Sequence, residues 1–141
     1  MELDDLYQDI ILDHFKNPLN KRPLADDEVL VDEENPTCGD HLRLTAKVKD
    51  GKIADVKYDG KGCAISMASA SMMSERLIGM PVEEARRLIS GFVGVIRGEK
   101  GMSADELGDL AALEGVKQYP MRVKCATMAW HAAEKALEKL S

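Results

Sequence analysis

The chain has 141 residues, 45% of them hydrophobic and 31% charged, which suits a globular domain that buries a core without disulfide staples. A formal net charge of -6 argues against nucleic acid as the main partner, because phosphate binding needs a clustered basic surface. No apolar run approaches the ~18 residues of a membrane span, and the three cysteines are an odd number for a disulfide framework.

Met1-Glu2-Leu3-Asp4-Asp5 is acidic and lacks the basic-then-apolar order of a signal peptide. The expectation is one domain over residues 1–141 in a reducing, cytoplasmic setting, with no membrane partner. Leu3, Leu6, Tyr7, Ile10, Ile11 and Phe15 recur at helical spacing and predict an amphipathic helix over residues 3 to 15. Asn17-Pro18 ends it, since a residue before proline is pushed out of helical geometry. Residues 19 to 28 are polar and irregular, and their acidic run Asp26-Asp27-Glu28 reads as a solvated loop.

Val29-Leu30-Val31 is a short strand candidate. Leu42, Leu44, Ala46 and Val48 alternate with polar residues, the period of a half-buried strand. Asp50-Gly51 signals a tight hairpin turn, and Ile53 through Tyr58 return as the partner strand, with Val56 and Tyr58 on one face. These segments predict a three-stranded antiparallel sheet.

Asp59-Gly60-Lys61-Gly62 reads as a flexible turn leading into Cys63. Ala64 to Ile78 is helical and dense in alanine and serine, with Met67, Met72 and Met73 able to fill gaps; this richness reads as packing. Gly79 suits a C-cap, and Met80-Pro81 opens a helix from Val82 to about Phe92. Ser103 to Glu106 has the form of a capping box and predicts a short helix over 104 to 113. The last helix is predicted from about Arg122 to Leu140, its apolar face running through Ala126, Ala129, Trp130, Ala133, Leu137 and Leu140. The expected fold class is α+β, a three-stranded antiparallel sheet packed with about five helices in a single compact domain.

All three cysteines sit in short, glycine- or lysine-marked stretches: Cys38-Gly39-Asp40, Gly62-Cys63 and Lys124-Cys125. Residues two apart in an extended segment face the same side, so Cys38 and Asp40 are able to point at one target. Cys63 and Cys125 each lie near a predicted helix start, where the helix dipole favours thiolate over thiol. Three thiolates and a carboxylate make the four ligands that a tetrahedral zinc site asks for. Spacing alone leaves metal or sulfur chemistry open against inert buried thiols, for there is no Cys-x-x-Cys pair. His41 begins a strand next to Asp40 and is expected to face the other way; His14 and His131 read as surface or packing residues. Lys61, Arg122 and Lys124 flank the cysteines, either offsetting a negative cluster or as ordinary solvated charge.

Asn35-Pro36-x-Cys38-Gly39-Asp40 and Gly60-x-Gly62-Cys63-Ala64-Ile65-Ser66, with a late Cys125, resemble the IscU/NifU-type iron–sulfur assembly proteins over nearly the whole chain. The resemblance implies a compact α+β scaffold with the cysteines and aspartate at one exposed edge. It also implies that Cys38, Asp40, Cys63 and Cys125 are the metal or cluster ligands. Lys124 stands where IscU proteins have histidine, and Arg122 through Thr127 is similar to the Arg-Val-Lys-Cys-Ala-Thr motif of the SufU branch. Extra length around residues 95 to 117 is similar to that branch as well. The branch implies zinc at the same residues and sulfur accepted from a SufS-type cysteine desulfurase, with Cys38 as the expected acceptor because Gly39 lets it swing. A scaffold that builds an iron–sulfur cluster and hands it to downstream assembly or apo-acceptor proteins is the alternative, and a structural zinc module a third reading.

Overall fold

The computed structural model describes residues 3–36, 39–99 and 102–140. Three strands, β1 (Val31–Asn35), β2 (Asp40–Lys49) and β3 (Lys52–Lys61), form one antiparallel sheet in the order β1-β2-β3. Asp50 and Gly51 join β2 to β3 with φ of 54° and 77°, the pair of left-handed conformations that a tight hairpin matched to strand twist requires. The register shifts beyond Lys47↔Asp55, so that Val48 pairs with Ile53. That bulge turns both Ile53 and Val56 inward, where they join Leu42, Leu44 and Tyr58 in the core.

Strand β1 lies later than expected: Val31 opens it, and Val29 and Leu30 precede it. Its middle is Asp32-Glu33-Glu34, which carries no apolar alternation to read. An edge strand of this kind is held by backbone pairing along one side. The stretch Asp59–Lys61 is strand and not flexible turn. Gly60 sits there at φ 143°, and a Cβ on it would stand 2.1 Å from the His41 carbonyl oxygen, so only glycine permits the strands to close this near.

Helix α2 (Ala64–Leu77) packs against α1 (Leu3–Lys16), α5 (Pro120–Leu140) and β3. Its alanines and methionines pack as expected, but its serines form a buried polar seam. Ser69 donates to the Ala126 carbonyl (2.6 Å) and accepts from Trp130 Nε1 (2.9 Å). Ser71 accepts from the Leu19 amide and bonds His14 Nδ1. Ser74 donates to the Ser71 carbonyl and accepts from Asn20. Small residues bring the helices close, and each hydroxyl finds a partner, so burial costs little. Phe15 and Leu140, both expected on apolar faces, are partly exposed.

Helix α3 (Val82–Ile96) continues past Phe92 in spite of Gly91 and Gly94. Gly91 makes room for Met102, since a Cβ there would lie 2.6 Å from the Met102 Cγ. The segment expected as one helix over 104 to 113 splits into α4 (Ala104–Leu107) and a 3-10 helix, Gly108–Gln118. Gly108, at φ 55°, takes a left-handed conformation that interrupts an α-helix. The acidic run Asp26–Glu28 forms a 3-10 turn tied to the body of the protein, with Asp26 on Arg43 and Glu28 on Arg22. Helix α5 starts two residues early, with Pro120 at its first position, where its missing N–H costs nothing.

Trp130 is fully buried, stacks on Phe92 with ring centroids 4.3 Å apart, and donates to Ser69. Trp130→Ala is expected to lower stability by ~3–5 kcal/mol, read as a fall in the urea midpoint followed by circular dichroism; Trp130→Phe should fall less.

Candidate metal centre

Asn35 and Asp40 face each other across β1 and β2 and close a short connection of residues 36–39. Gly39 sits at φ 71°, a left-handed turn that any side chain would strain. Cys38 lies outside the described residues, so its sequence-derived place as ligand and acceptor rests on its position in that connection. Asp40 starts β2 with its side chain on the inward face beside Leu42, and it is 2% exposed.

One Asp40 oxygen, Oδ1, accepts the Cys63 amide at 3.0 Å. Cys63 is the N-cap of α2, so this bond ties the start of a strand to the start of the central helix. Gly62 makes the approach possible: a Cβ there would lie 2.5 Å from Asp40 Oδ1 and equally close to Ser66 Oγ. Ser66, one turn into the helix, donates to the Cys63 carbonyl at 3.0 Å, with its oxygen 3.7 Å from the Cys63 sulfur.

Cys125 lies in the second turn of α5, not at its start as the sequence suggested, because the helix begins at Pro120. The helix dipole therefore acts on Cys63 but not on Cys125, since its effect fades within the first turn. Cys125 is fully buried; its thiol donates to the Met121 carbonyl, and its sulfur accepts from the Asn35 side-chain amide at 3.8 Å.

These elements bring an Asp40 oxygen and the Cys63 and Cys125 sulfurs within 4.8 Å of one another. Among the described residues of the expected exposed edge, Asp40 and Cys125 are buried and Cys63 is half-buried. Burial pushes the Cys63 thiol up, but the Ser66 amide and hydroxyl and the neighbouring Cys125 outweigh both burial and the Asp40 charge. The net displacement is below the ordinary thiol value, towards thiolate. The second Asp40 oxygen, Oδ2, is buried and has no hydrogen-bond partner among the described residues. A buried carboxylate oxygen without a partner is costly, and a cation is what such an atom fits. Two sulfurs and a carboxylate oxygen are donors that suit zinc, and they fit the group that the sequence implied.

His41 faces the opposite side of the sheet, as expected, with Nε2 2.6 Å from Asp32 Oδ1 and Glu34 nearby. His14 is buried on Ser71, and His131 lies beside Arg97; neither reaches the cysteines' cluster. Lys61, Arg122 and Lys124 are exposed around the site. Sequence reasoning assigned no role to Asn35, Gly62 or Ser66. Ser66 carries a local signal, a hydroxyl three residues after a helix-capping cysteine. Asn35 carries none, because its partner is 90 positions away.

Residues 6–126 match the family described as the NifU-like N terminal domain, a span that takes in all three cysteines and Asp40. The chain belongs to this family. Among relatives of this NifU-like domain, the zinc-dependent sulfurtransferase SufU of Bacillus subtilis (strain 168) is 46% identical over 137 residues, covering 97% of this chain and 92% of that protein. The iron-sulfur cluster assembly scaffold protein IscU of Streptococcus pyogenes serotype M1 is 40% identical, covering 98% and 86%. A crystal structure of a putative iron-sulfur cluster assembly scaffold protein for the SUF system, from Fervidobacterium islandicum AW-1, matches with a TM-score of 0.82 at 33% identity. It covers 96% of this chain and 99% of that one. The α+β architecture with three antiparallel strands is thus that of its relatives. No helix among the described residues is long and apolar enough to cross a membrane.

Gly62→Ala is expected to push Asp40 away from the Cys63 amide. Overpacking of this kind costs about 1–3 kcal/mol, measurable as a lower urea midpoint, whereas Gly115→Ala, where a Cβ meets nothing within 4 Å, should change stability far less.

Proposed function

We propose that this NifU-like domain is a zinc-bearing sulfur acceptor in iron–sulfur cluster assembly, taking sulfur from a SufS-type cysteine desulfurase. The observation that carries the reading is the convergence of an Asp40 oxygen with two thiols, on a carboxylate whose buried Oδ2 has no hydrogen-bond partner among the described residues. The 46% identity to a zinc-dependent sulfurtransferase and the exposed Lys124 before Cys125 support the same choice.

Asp40, Cys63 and Cys125 would hold the metal, with Cys38 as the fourth ligand. When bound, zinc would keep the ligating sulfurs as thiolates at neutral pH. The residues of the chain then do the rest. Asp40 holds the Cys63 amide and thereby the helix start, and Ser66 holds the Cys63 sulfur in place. Cys38 is the acceptor: its thiolate attacks the outer sulfur of the desulfurase persulfide, the old S–S bond breaks, and the desulfurase thiolate leaves. The acceptor cysteine is then the persulfide, available to downstream assembly or apo-acceptor proteins in the cytoplasm.

A second reading, a scaffold for a transient iron–sulfur cluster, draws on Asp40 itself. Clusters are usually held by four thiolates, and a harder oxygen in the set favours release. The two readings separate on freshly purified protein. The first expects tightly held zinc and the second iron with acid-labile sulfide, and anaerobic incubation with iron, sulfide and desulfurase should yield cluster absorbance only under the second.

Asp40→Ala is expected to weaken zinc binding by at least about tenfold in chelator competition, since it removes one of four ligands. The hydrophobic core spans sheet and helices, so chelator-stripped protein should keep its helical circular dichroism, unlike a domain that depends on zinc to fold. With radiolabelled cysteine and a desulfurase, Cys38→Ser should take up almost no label; uptake at the native rate would remove Cys38 as acceptor.

A further inference from the structure

We propose that Asn35 is a positioning residue of the metal centre: its side-chain amide, donating to the Cys125 sulfur, keeps that sulfur a resident ligand. The inference rests on the metal-centre reading above and assigns a task to a residue outside its ligand set. Asn35 is 7% exposed at the end of β1, and its Nδ2 lies 3.8 Å from the Cys125 sulfur. A buried amide spends its N–H on a partner whose loss is expensive. Here the partner is the sulfur of a thiol beyond the first turn of α5, which donates its own proton to the Met121 carbonyl and accepts the amide from a different element.

The arrangement around it is reciprocal. Asn35 pairs with Asp40 in the sheet; one side chain reaches Cys125 on α5, and the other reaches the Cys63 amide at the start of α2. The two posts of the connection carrying Cys38 are thus each tied to a different cysteine-bearing helix. An N–H directed at a ligand sulfur draws charge from it and fixes its direction. Cys125 is thereby held as a ligand and made the poorer nucleophile, which leaves sulfur acceptance to a cysteine elsewhere in the set.

Asn35→Leu keeps the volume and removes the donor, and Asn35→Gln keeps an amide. Loss of such a supporting contact is expected to weaken zinc binding ~10-fold or more in Asn35→Leu. In the cobalt-loaded protein, the sulfur-to-metal charge-transfer band should move to longer wavelength in Asn35→Leu and return towards the native position in Asn35→Gln. A merely structural role would not produce that ordering. Should Asn35→Leu not fold by circular dichroism, Asn35→Ala, which has no side-chain donor, carries the same expectation. Unchanged band and affinity in a folded donor-less variant, or equal shifts with and without the amide, overturn the proposal. Failure of the native protein to show any sulfur-to-cobalt band would sink the metal-centre reading itself, so the two failures are told apart without any sulfur-transfer assay.

Discussion

Asp40 Oδ1 accepts the Cys63 amide across 3.0 Å, and through that bond the first residue of β2 is fastened to the cap of α2. Much of the site depends on it. A carboxylate that is almost wholly buried loses its hydration, a loss that hydrogen bonds and opposite charge must offset. The Cys63 amide supplies the first of these on one oxygen. The other oxygen has no hydrogen-bond partner among the described residues, and two sulfurs lie close to the carboxylate, which is where the second is needed. The carboxylate thus fastens the fold and borders the two thiols at once.

The rest of the architecture brings the two ends of that bond together. Gly60 lets β3 run close under His41, and Gly62 leaves the space into which Asp40 and Ser66 fit. From Cys63 onward, α2 is threaded by serines that bond outward to α1, to the segment after it and to α5. A helix with larger side chains on those faces would stand farther off, and Cys125, carried on α5, would not reach Cys63. Trp130, one turn beyond Cys125, fixes the depth of α5 by stacking on Phe92 and donating to Ser69.

Where local pattern and tertiary packing agree, the sequence was readable. The alternation from Leu42 to Val48 and the Asp50-Gly51 turn marked the hairpin, because strand period and turn chemistry are local properties. Strand β1 was misplaced because an acidic edge strand is defined by its backbone partner and not by its side chains. Helix α3 runs on past glycines that suggest its end; the neighbouring Met102 requires one of them, Gly91, and no local rule reveals this. The bulge that turns Ile53 and Val56 to one face was equally invisible, being a property of the pair of strands.

The same division holds at the site. By itself the sequence singled out the candidate residues: Asp40, Cys63 and Cys125, with Cys38 in the same motifs, stand out because thiols are few here and a carboxylate lies two residues from one of them. It also determined that Cys63 caps a helix, since the glycine before it and the small residues after it are contiguous. Only the tertiary structure decided that Asp40 and Cys125 are buried, that Asp40 holds the Cys63 amide close to the two thiols, and that Asn35 reaches Cys125. Those features join residues 23 to 90 positions apart. Their energies exist only once sheet and helices have excluded water from the space between them.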